Sequence, residues 1–381
     1  MTTLELLDRL VAFPTVSSEP NRGLIDFVRS FLAERGIEAE LFCADNGRKA
    51  NLFATVGPKD VPGVMLSGHT DVVPVEGQRW STDPFQMTVS ADRAYARGTA
   101  DMKGYLACVL SLIDRMAGAS LKMPIHLAFS HDEEVGCIGV RSLIEGLADR
   151  PVKPRFVIVG EPTSMRIATG HKGKIAARAT CCGIAGHSAL APKTLNAIHL
   201  ACDFVGLIRQ SQEELACGAS RDDSYEIPYT TLHVGRIDGG TALNIVPNQC
   251  TVDFEIRNIG EDNAQTILDR ILGGAADISM RQRSSFPEAD IRVDVLNAYP
   301  GLVTARDAEV VDFVSRIVEY REPLKVAFGT EGGLFSSRLG IPAVVCGPGS
   351  MEQGHKPDEF VALSQLAACD RMMDRLLAQC C

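Results

Sequence analysis

His69 and Asp71 close the apolar run Val64-Met-Leu-Ser-Gly68. Alternate residues of an extended strand share a face, so both side chains would point the same way as the strand ends. A histidine that ligates a metal through one ring nitrogen usually donates its other N–H to a carboxylate or carbonyl, and Asp71 is spaced for that. The plain alternative is a capped strand end with a satisfied histidine, because so short a motif also arises without function. Four further stretches bear on the choice: Arg97-Gly-Thr-Ala-Asp101-Met-Lys-Gly104, Glu133-Glu134, Glu161 before Pro162, and His355 after Gly347-Pro-Gly-Ser. Singly, each has an ordinary reading. Asp101 could be an N-terminal charge partner of a helix, Glu133 and Glu134 solvated loop charge, Glu161 a turn acid, and His355 a surface imidazole. Jointly they supply two imidazoles, at least three carboxylates and a spare acid. That set suits two borderline divalent ions better than one. His69 and Glu161 would serve one ion, Glu134 and His355 the other, with Asp101 bridging. Mixed nitrogen and oxygen ligation favours zinc, with cobalt or manganese able to substitute. Glu133 would then take a proton from the attacking water and pass it to a leaving nitrogen.

The elements that must position these residues follow from the periodicity. Residues 3–13 and 20–35 show helical apolar spacing, and 37–42, 51–56 and 63–67 read as strands. The last is continuously apolar, as in a sheet covered on both faces. A helix is predicted over 105–117, a strand over 124–130, a helix over 138–148 and a strand over 156–159. Strand, polar loop and helix repeat, which argues an α/β architecture with ligands beyond the carboxyl ends of the strands. The pattern changes near residue 173. Strands at 174–182, 230–236, 250–257 and 291–296 and helices at 193–217 and 262–273 follow the order β-α-β-β-α-β, the ferredoxin-like signature. We therefore expect a domain inserted at 173–295 in a discontinuous metal-binding domain of residues 1–172 and 296–381. In the resumed part, 306–320 reads as a helix and 341–346 as a buried strand.

The chain of 381 residues is 45% hydrophobic, ample for two cores. A net charge of −10 disfavours nucleic acid or an anionic membrane as partner. The 12 cysteines include no CxxC pair, and Cys181-Cys182 and Cys380-Cys381 are poorly spaced for a zinc knot. They read as reduced thiols of a cytoplasmic protein. A cysteine hydrolase built on Cys137 lacks an evident histidine partner. The first residues do not read as a signal peptide, and no apolar run approaches the length of a membrane span.

Ser67-Gly-His-Thr-Asp71, Arg97-Gly-Thr-Ala-Asp-Met-Lys-Gly104, Asp132-Glu-Glu-Val-Gly136 and Gly160-Glu-Pro-Thr163 resemble the ordered motifs of the dizinc aminoacylase and carboxypeptidase G2 family. The resemblance spans nearly the whole chain. Phe328-Gly-Thr-Glu-Gly332 and the stretch from Val345 to Phe360 look most like its acetylornithine deacetylase branch. The resemblance implies a zinc-peptidase-like α/β/α catalytic domain with an inserted ferredoxin-like dimerisation (lid) domain. It implies His69, Asp101, Glu134, Glu161 and His355 as metal ligands, Asp71 as orienter of His69, Glu133 as general base, and a cis Asp101–Met102 peptide. His187, in Gly183-Ile-Ala-Gly-His187-Ser188, matches a histidine that reaches the partner subunit's site and helps hold the oxyanion. Asn244 matches a substrate contact and Arg257 the binder of the substrate carboxylate. From the alternation over 251–257 alone, Arg257 is as well explained by an ion pair on a sheet face. The loop Gly329-Thr330-Glu331-Gly332 would hold the amino-acid part, with Glu331 available to a cationic side chain. One departure is Gly354, where this branch often has alanine before the histidine. The implied activity is metal-dependent hydrolysis of an N-acyl-L-amino acid, with N-acetyl-L-ornithine as first choice, which would serve arginine biosynthesis. Another N-acyl amino acid, a dipeptide or a desuccinylase substrate would use the same catalytic set. A metal-binding protein without catalysis is the alternative outside that class. A homodimer through 173–295 is implied as well.

Overall fold

The run Val64–His69 is an inner strand of a mixed sheet whose centre is parallel, flanked by Ile125–Ser130 and Phe156–Pro162, with Ala343–Gly347 beyond the latter. Each of these four strands is buried at every residue, which is why their sequences run apolar without alternation. The computed structural model describes residues 1–116 and 119–381, apart from the side chains of positions 45 and 321. Among the described residues the chain divides into two compact units. One comprises Met1–His171, Leu302–Val326 and Thr330–Cys381, the other Lys172–Gly301 and Ala327–Gly329.

In the first unit the sheet has nine strands among the described residues. Val64, Leu66, Phe156, Ile158 and Val344 share a core with the helices Thr3–Val11, Arg22–Ala33, Gly104–Met116 and Leu363–Cys380. Helices Val140–Ala148 and Gly332–Leu339 pack together, the first against Lys49–Val56 and the second against Phe156–Pro162 and Ala343–Gly347. Two glycines let the helix Gly104–Met116 press onto the sheet. A Cβ on Gly160 would sit 2.1 Å from the Tyr105 ring, and one on Gly68 would sit 2.8 Å from Leu106 Cδ2.

The second unit has the antiparallel strand order Thr231–Gly239, Gln249–Asn258, Gly173–Cys182, Asp290–Tyr299. Helices Ala197–Cys217 and Ala264–Arg283 cover one face. Burial alternates along Gly173–Cys182 and Gln249–Asn258, as expected for a sheet covered on one side only. With the sequence order β-α-β-β-α-β, this is the ferredoxin-like arrangement expected. The unit runs to Gly301, past the expected end at 295, because its last strand continues to Tyr299.

Several elements differ from expectation. The helix predicted over 262–273 continues through Gly273-Gly274 to Arg283. Gly274 lies where a Cβ would meet the Leu207 side chain at 2.6 Å, so this glycine serves helix contact and the helix runs on through it. The helix predicted over 306–320 is confined to Glu309–Ser315, and Tyr320–Val326 is a strand beside Arg166–His171. The helix predicted over 105–117 spans Gly104–Met116, and residue 117 lies outside the described residues. Helix Leu363–Cys380 and the small sheet of Thr88–Ser90, Arg93–Tyr95 and Phe360–Ala362 were not anticipated. Among the described residues, no helix is long and apolar enough to cross a membrane.

Candidate metal centre

The parallel strands of the first unit end together, and their ends deliver the expected ligands. His69 closes Val64–His69 and pairs with Ser130, so the loop carrying Glu133 and Glu134 starts beside it. Glu161 lies at the end of Phe156–Pro162, and the segment after Ala343–Gly347 leads to His355. Asp101 comes from the turn Thr99–Lys103, and its peptide to Met102 is cis, as the resemblance implied.

The structure brings all five together. His69 Nε2 stands 3.1 Å from Asp101 Oδ1 and 3.7 Å from Glu161 Oε1. His355 Nε2 stands 3.2 Å from Asp101 Oδ2 and 3.1 Å from Glu134 Oε2. Asp101 therefore turns one oxygen to each histidine, the disposition a bridging carboxylate needs. Donor atoms of His69, Asp101 and Glu134 lie within 4.8 Å of one another, as do those of His69, Glu133 and Glu161. His69, Asp101 and Glu161 are buried, whereas the His355 side chain is 45% exposed.

Asp71 differs in detail from the expectation. The nearer partner of His69 Nδ1 is the Asp71 backbone carbonyl at 2.9 Å, with the carboxylate oxygen Oδ1 at 3.5 Å. Nδ1–H donation to that carbonyl leaves the Nε2 lone pair facing Asp101 and Glu161. The Asp71 carboxylate is occupied elsewhere. It accepts from Ser17 Oγ at 2.7 Å and from the backbone N–H groups of Glu133 and Glu134 at 3.1 and 3.3 Å. One residue thus orients both the histidine and the acidic loop. Sequence reasoning missed Ser17, which carries no local signal of this contact. It also missed that the Cys137 thiol donates to Glu133 Oε1 at 3.2 Å.

Electrostatics show a surplus of negative charge. Burial pushes the Glu133 carboxyl up to about 8 and Glu134 up to about 7, with neighbouring carboxylates adding to the rise. Burial, with the Asp101 charge, pushes Glu161 well above the carboxylate range. Hydrogen bonds to Asp101 and Glu134 raise His355 to about 10. Burial opposes the charged form of His69, but Glu161, Asp101 and Asp71 outweigh it and raise this group too. Without cations, then, the folded site holds extra protons. Glu161 Oε1 is buried without a hydrogen-bond partner. An orphaned carboxylate oxygen beside a histidine nitrogen, among acids that lack counter-charge, fits a site for divalent cations.

The remaining expected residues fall into two groups. His187, Asn244, Arg257 and Gly329 belong to the second unit. Within it, His187 pairs with Ile245 and accepts from the Ala189 N–H at Nδ1, 3.1 Å, and the Ser188 N–H donates to the Asn244 carbonyl at 3.0 Å. His187 and Asn244 thus sit together on exposed backbone. Arg257 donates from Nε to Glu255 at 3.1 Å and from Nη1 to the Tyr299 hydroxyl at 3.1 Å. Thr330, Glu331 and Gly332 belong to the first unit and are buried. The Glu331 carboxylate accepts from Ser67 Oγ at 3.1 Å and from Ser130 Oγ. It therefore ties two neighbouring strands together at the carboxyl end of the sheet.

Residues 65–379 match the family described as Peptidase family M20/M25/M40. An acetylornithine deacetylase of Myxococcus xanthus is 35% identical over 383 residues, covering 98% of this chain and 96% of that protein. An acetylornithine deacetylase of Pasteurella multocida is 31% identical over 385 residues, covering 99% and 98%. Among solved structures, an M20-family metallo-carboxypeptidase of Sulfolobus solfataricus superposes with a TM-score of 0.79 at 19% identity, covering 98% of each chain. That likeness speaks for the fold, and the α/β architecture with an inserted ferredoxin-like unit agrees with it.

Proposed function

The chain belongs to peptidase family M20/M25/M40, an enzyme family of metal-dependent amide hydrolysis, and from this premise we propose that it deacylates N-acyl-L-amino acids, N-acetyl-L-ornithine first among them. The observation that carries the reading is the Asp101 carboxylate between His69 and His355, with Glu134, Glu161 and Glu133 beside it. The names of the full-length relatives support the choice of substrate.

Two divalent ions, zinc by donor chemistry with cobalt or manganese as substitutes, would be held by His69, Asp101, Glu134, Glu161 and His355. When bound they supply Lewis acidity toward the amide carbonyl and lower the pKa of water. Glu133 handles the proton, taking it from the attacking water and returning it to the leaving nitrogen. A carboxyl that burial raises to about 8 can both accept and release a proton near neutrality. Asp71 keeps the Glu133 backbone in place, and the Cys137 thiol fixes one carboxylate oxygen, leaving the other for the water.

Binding falls to the second unit. Arg257, braced by Glu255 and Tyr299, meets the substrate carboxylate, Asn244 contacts the substrate, and His187 of a partner chain steadies the oxyanion. A homodimer through 173–295 is supported by apolar side chains that this unit leaves exposed near His187 and Asn244. Leu243 is fully exposed, and Leu190 and Ile245 are about half exposed. A small-molecule substrate and the absence of a membrane-crossing helix among the described residues agree with a cytoplasmic enzyme.

The test is a deacylation screen of metal-stripped protein reloaded with zinc or cobalt. The panel holds N-acetyl and N-succinyl amino acids and dipeptides. N-acetyl-L-ornithine should give the highest kcat/KM. Absence of metal-restored hydrolysis across the panel would refute the activity, and a clear preference for a dipeptide or an N-succinyl substrate would refute the substrate choice.

A further inference from the structure

The segment carrying His355 is half exposed, and His355 itself has a left-handed backbone, φ 61°. Its order needs a source. Gln78 Nε2 donates to the His355 carbonyl at 3.1 Å. Gln78 Oε1 accepts from Trp80 Nε1 at 3.1 Å and from Arg97 Nη2 at 2.6 Å. Arg97 Nη1 also reaches the Lys356 carbonyl at 3.4 Å. Arg97 is 1% exposed and its charge is met by Glu359, itself 1% exposed, at 2.6 Å. The other oxygen of Glu359 accepts from the backbone N–H groups of Ala100 and Asp101, at 2.9 and 3.1 Å. An unbroken series of contacts therefore runs from the backbone of Asp101 through Glu359, Arg97 and Gln78 to the backbone of His355. The amide of Gln78 fits its place in one orientation only, with oxygen toward the two donors and nitrogen toward the carbonyl.

We propose that Gln78 is a positioning residue for the metal position on the His355 side, which it holds in register with Asp101 through the buried Arg97–Glu359 pair. The proposal rests on the ligand reading given above for His355, Glu134 and Asp101. The physical reason is ordering. An imidazole on a half-exposed segment must lose backbone and side-chain freedom when it ligates, and a segment fixed beforehand loses less. His69 needs no such help, because it ends a buried strand and its Nδ1 is held by the Asp71 carbonyl. Loss of the Gln78 contact should therefore weaken one metal position and spare the other.

The experiment titrates metal-stripped full-length protein with zinc, in calorimetry and in competition with a chelator of known affinity. Wild type should bind in two steps, and His355→Ala identifies the step that depends on His355. Gln78→Ala should weaken that step by about 10–100-fold, the usual effect of losing a partner behind a ligand, and leave the other within about twofold. Gln78→Glu keeps an oxygen for Arg97 and Trp80 and lacks only the N–H toward His355, so it should show the same selective loss. Two wild-type steps that neither variant alters overturn the proposal. Parallel weakening of both steps also overturns it, because a general packing defect has that signature. A wild type that binds fewer than two ions overturns the underlying ligand reading, and the proposal with it.

Discussion

Glu133→Gln separates the work of two adjacent acids. Glu134 faces His355, whereas Glu133 Oε1 receives the Cys137 thiol and its backbone N–H is tied to Asp71. In the variant the amide oxygen can keep the Cys137 contact, which turns the NH2 toward the water. A proton acceptor becomes a donor. General-base action contributes about 10²–10⁴ in rate, or roughly 2.7–5.4 kcal/mol of barrier. Turnover should fall by that factor while the metal content stays that of wild type. The same change acts in the opposite sense on the metal-free fold. Burial raises Glu133 from 4.5 to about 8, so above pH 4.5 folding must take up a proton that the unfolded chain has released, which opposes folding. At about 1.4 kcal/mol per pH unit, this amounts to roughly 3 kcal/mol at pH 7. Glutamine carries no such charge. The variant should therefore be inactive, fully metallated and, when stripped of metal, more heat-stable than wild type at pH 7. Metal analysis, deacylation rates and thermal melts on the same samples check all three. Loss of metal or near-wild-type turnover would refute the assignment of roles. A metal-free Tm below that of wild type would refute the electrostatic argument.

Arg257→Ala should mainly raise KM for substrates with a free α-carboxylate, since a charged hydrogen bond is worth about 1.5–3 kcal/mol. Methyl-ester substrates should change little, and equal losses on both would make Arg257 structural. Metal-free protein should lose stability as pH rises from about 4.5 to about 8. Folded Glu133 and Glu134, raised to about 8 and about 7, hold protons there that the unfolded chain has released. His355, raised to about 10, continues the same trend above its unfolded value of 6.5. Melts across that range check this, and a Tm that rises with pH would refute it. Mixing Glu133→Gln with His187→Ala under subunit exchange should restore roughly a quarter of wild-type activity if His187 acts in a partner's site. No recovery despite proven exchange would exclude action in trans, and a monomer in sedimentation would exclude the dimer.

The sequence made the strand ends legible for a topological reason. Runs such as Val64–Leu66 and Phe156–Val159 can only be central strands, and parallel neighbours must release their loops at one edge, so His69, Glu133, Glu134 and Glu161 had to meet. The change of element order near residue 173, to β-α-β-β-α-β, exposed the second unit. Illegible were contacts with no local pattern. Glu359 reaches the Ala100 N–H across 259 positions, and Gln78 lies in a polar loop that advertises nothing. The serine partners of Glu331, Ser67 and Ser130, were equally hidden, because they come from strands remote in sequence. The helix expected over 262–273 runs on to Arg283, and nothing local in sequence says that Leu207 lies against Gly274.

The position of Ala343–Gly347 in the sheet bears on how the protein is made. It lies between Phe156–Pro162 and Arg166–His171, both of which are complete long before it is synthesised. Until residue 347 leaves the ribosome, those two strands would have facing edges with no occupant between them, their backbone N–H and C=O groups unpaired. The second unit, whose strands all lie between 173 and 299, can close in the meantime. Unfilled edges invite pairing with other chains. Release of the polypeptide anywhere between residues 330 and 342 should therefore yield a soundly folded second unit joined to an aggregating remainder. The vulnerable interval in biosynthesis is that wait for the late strand.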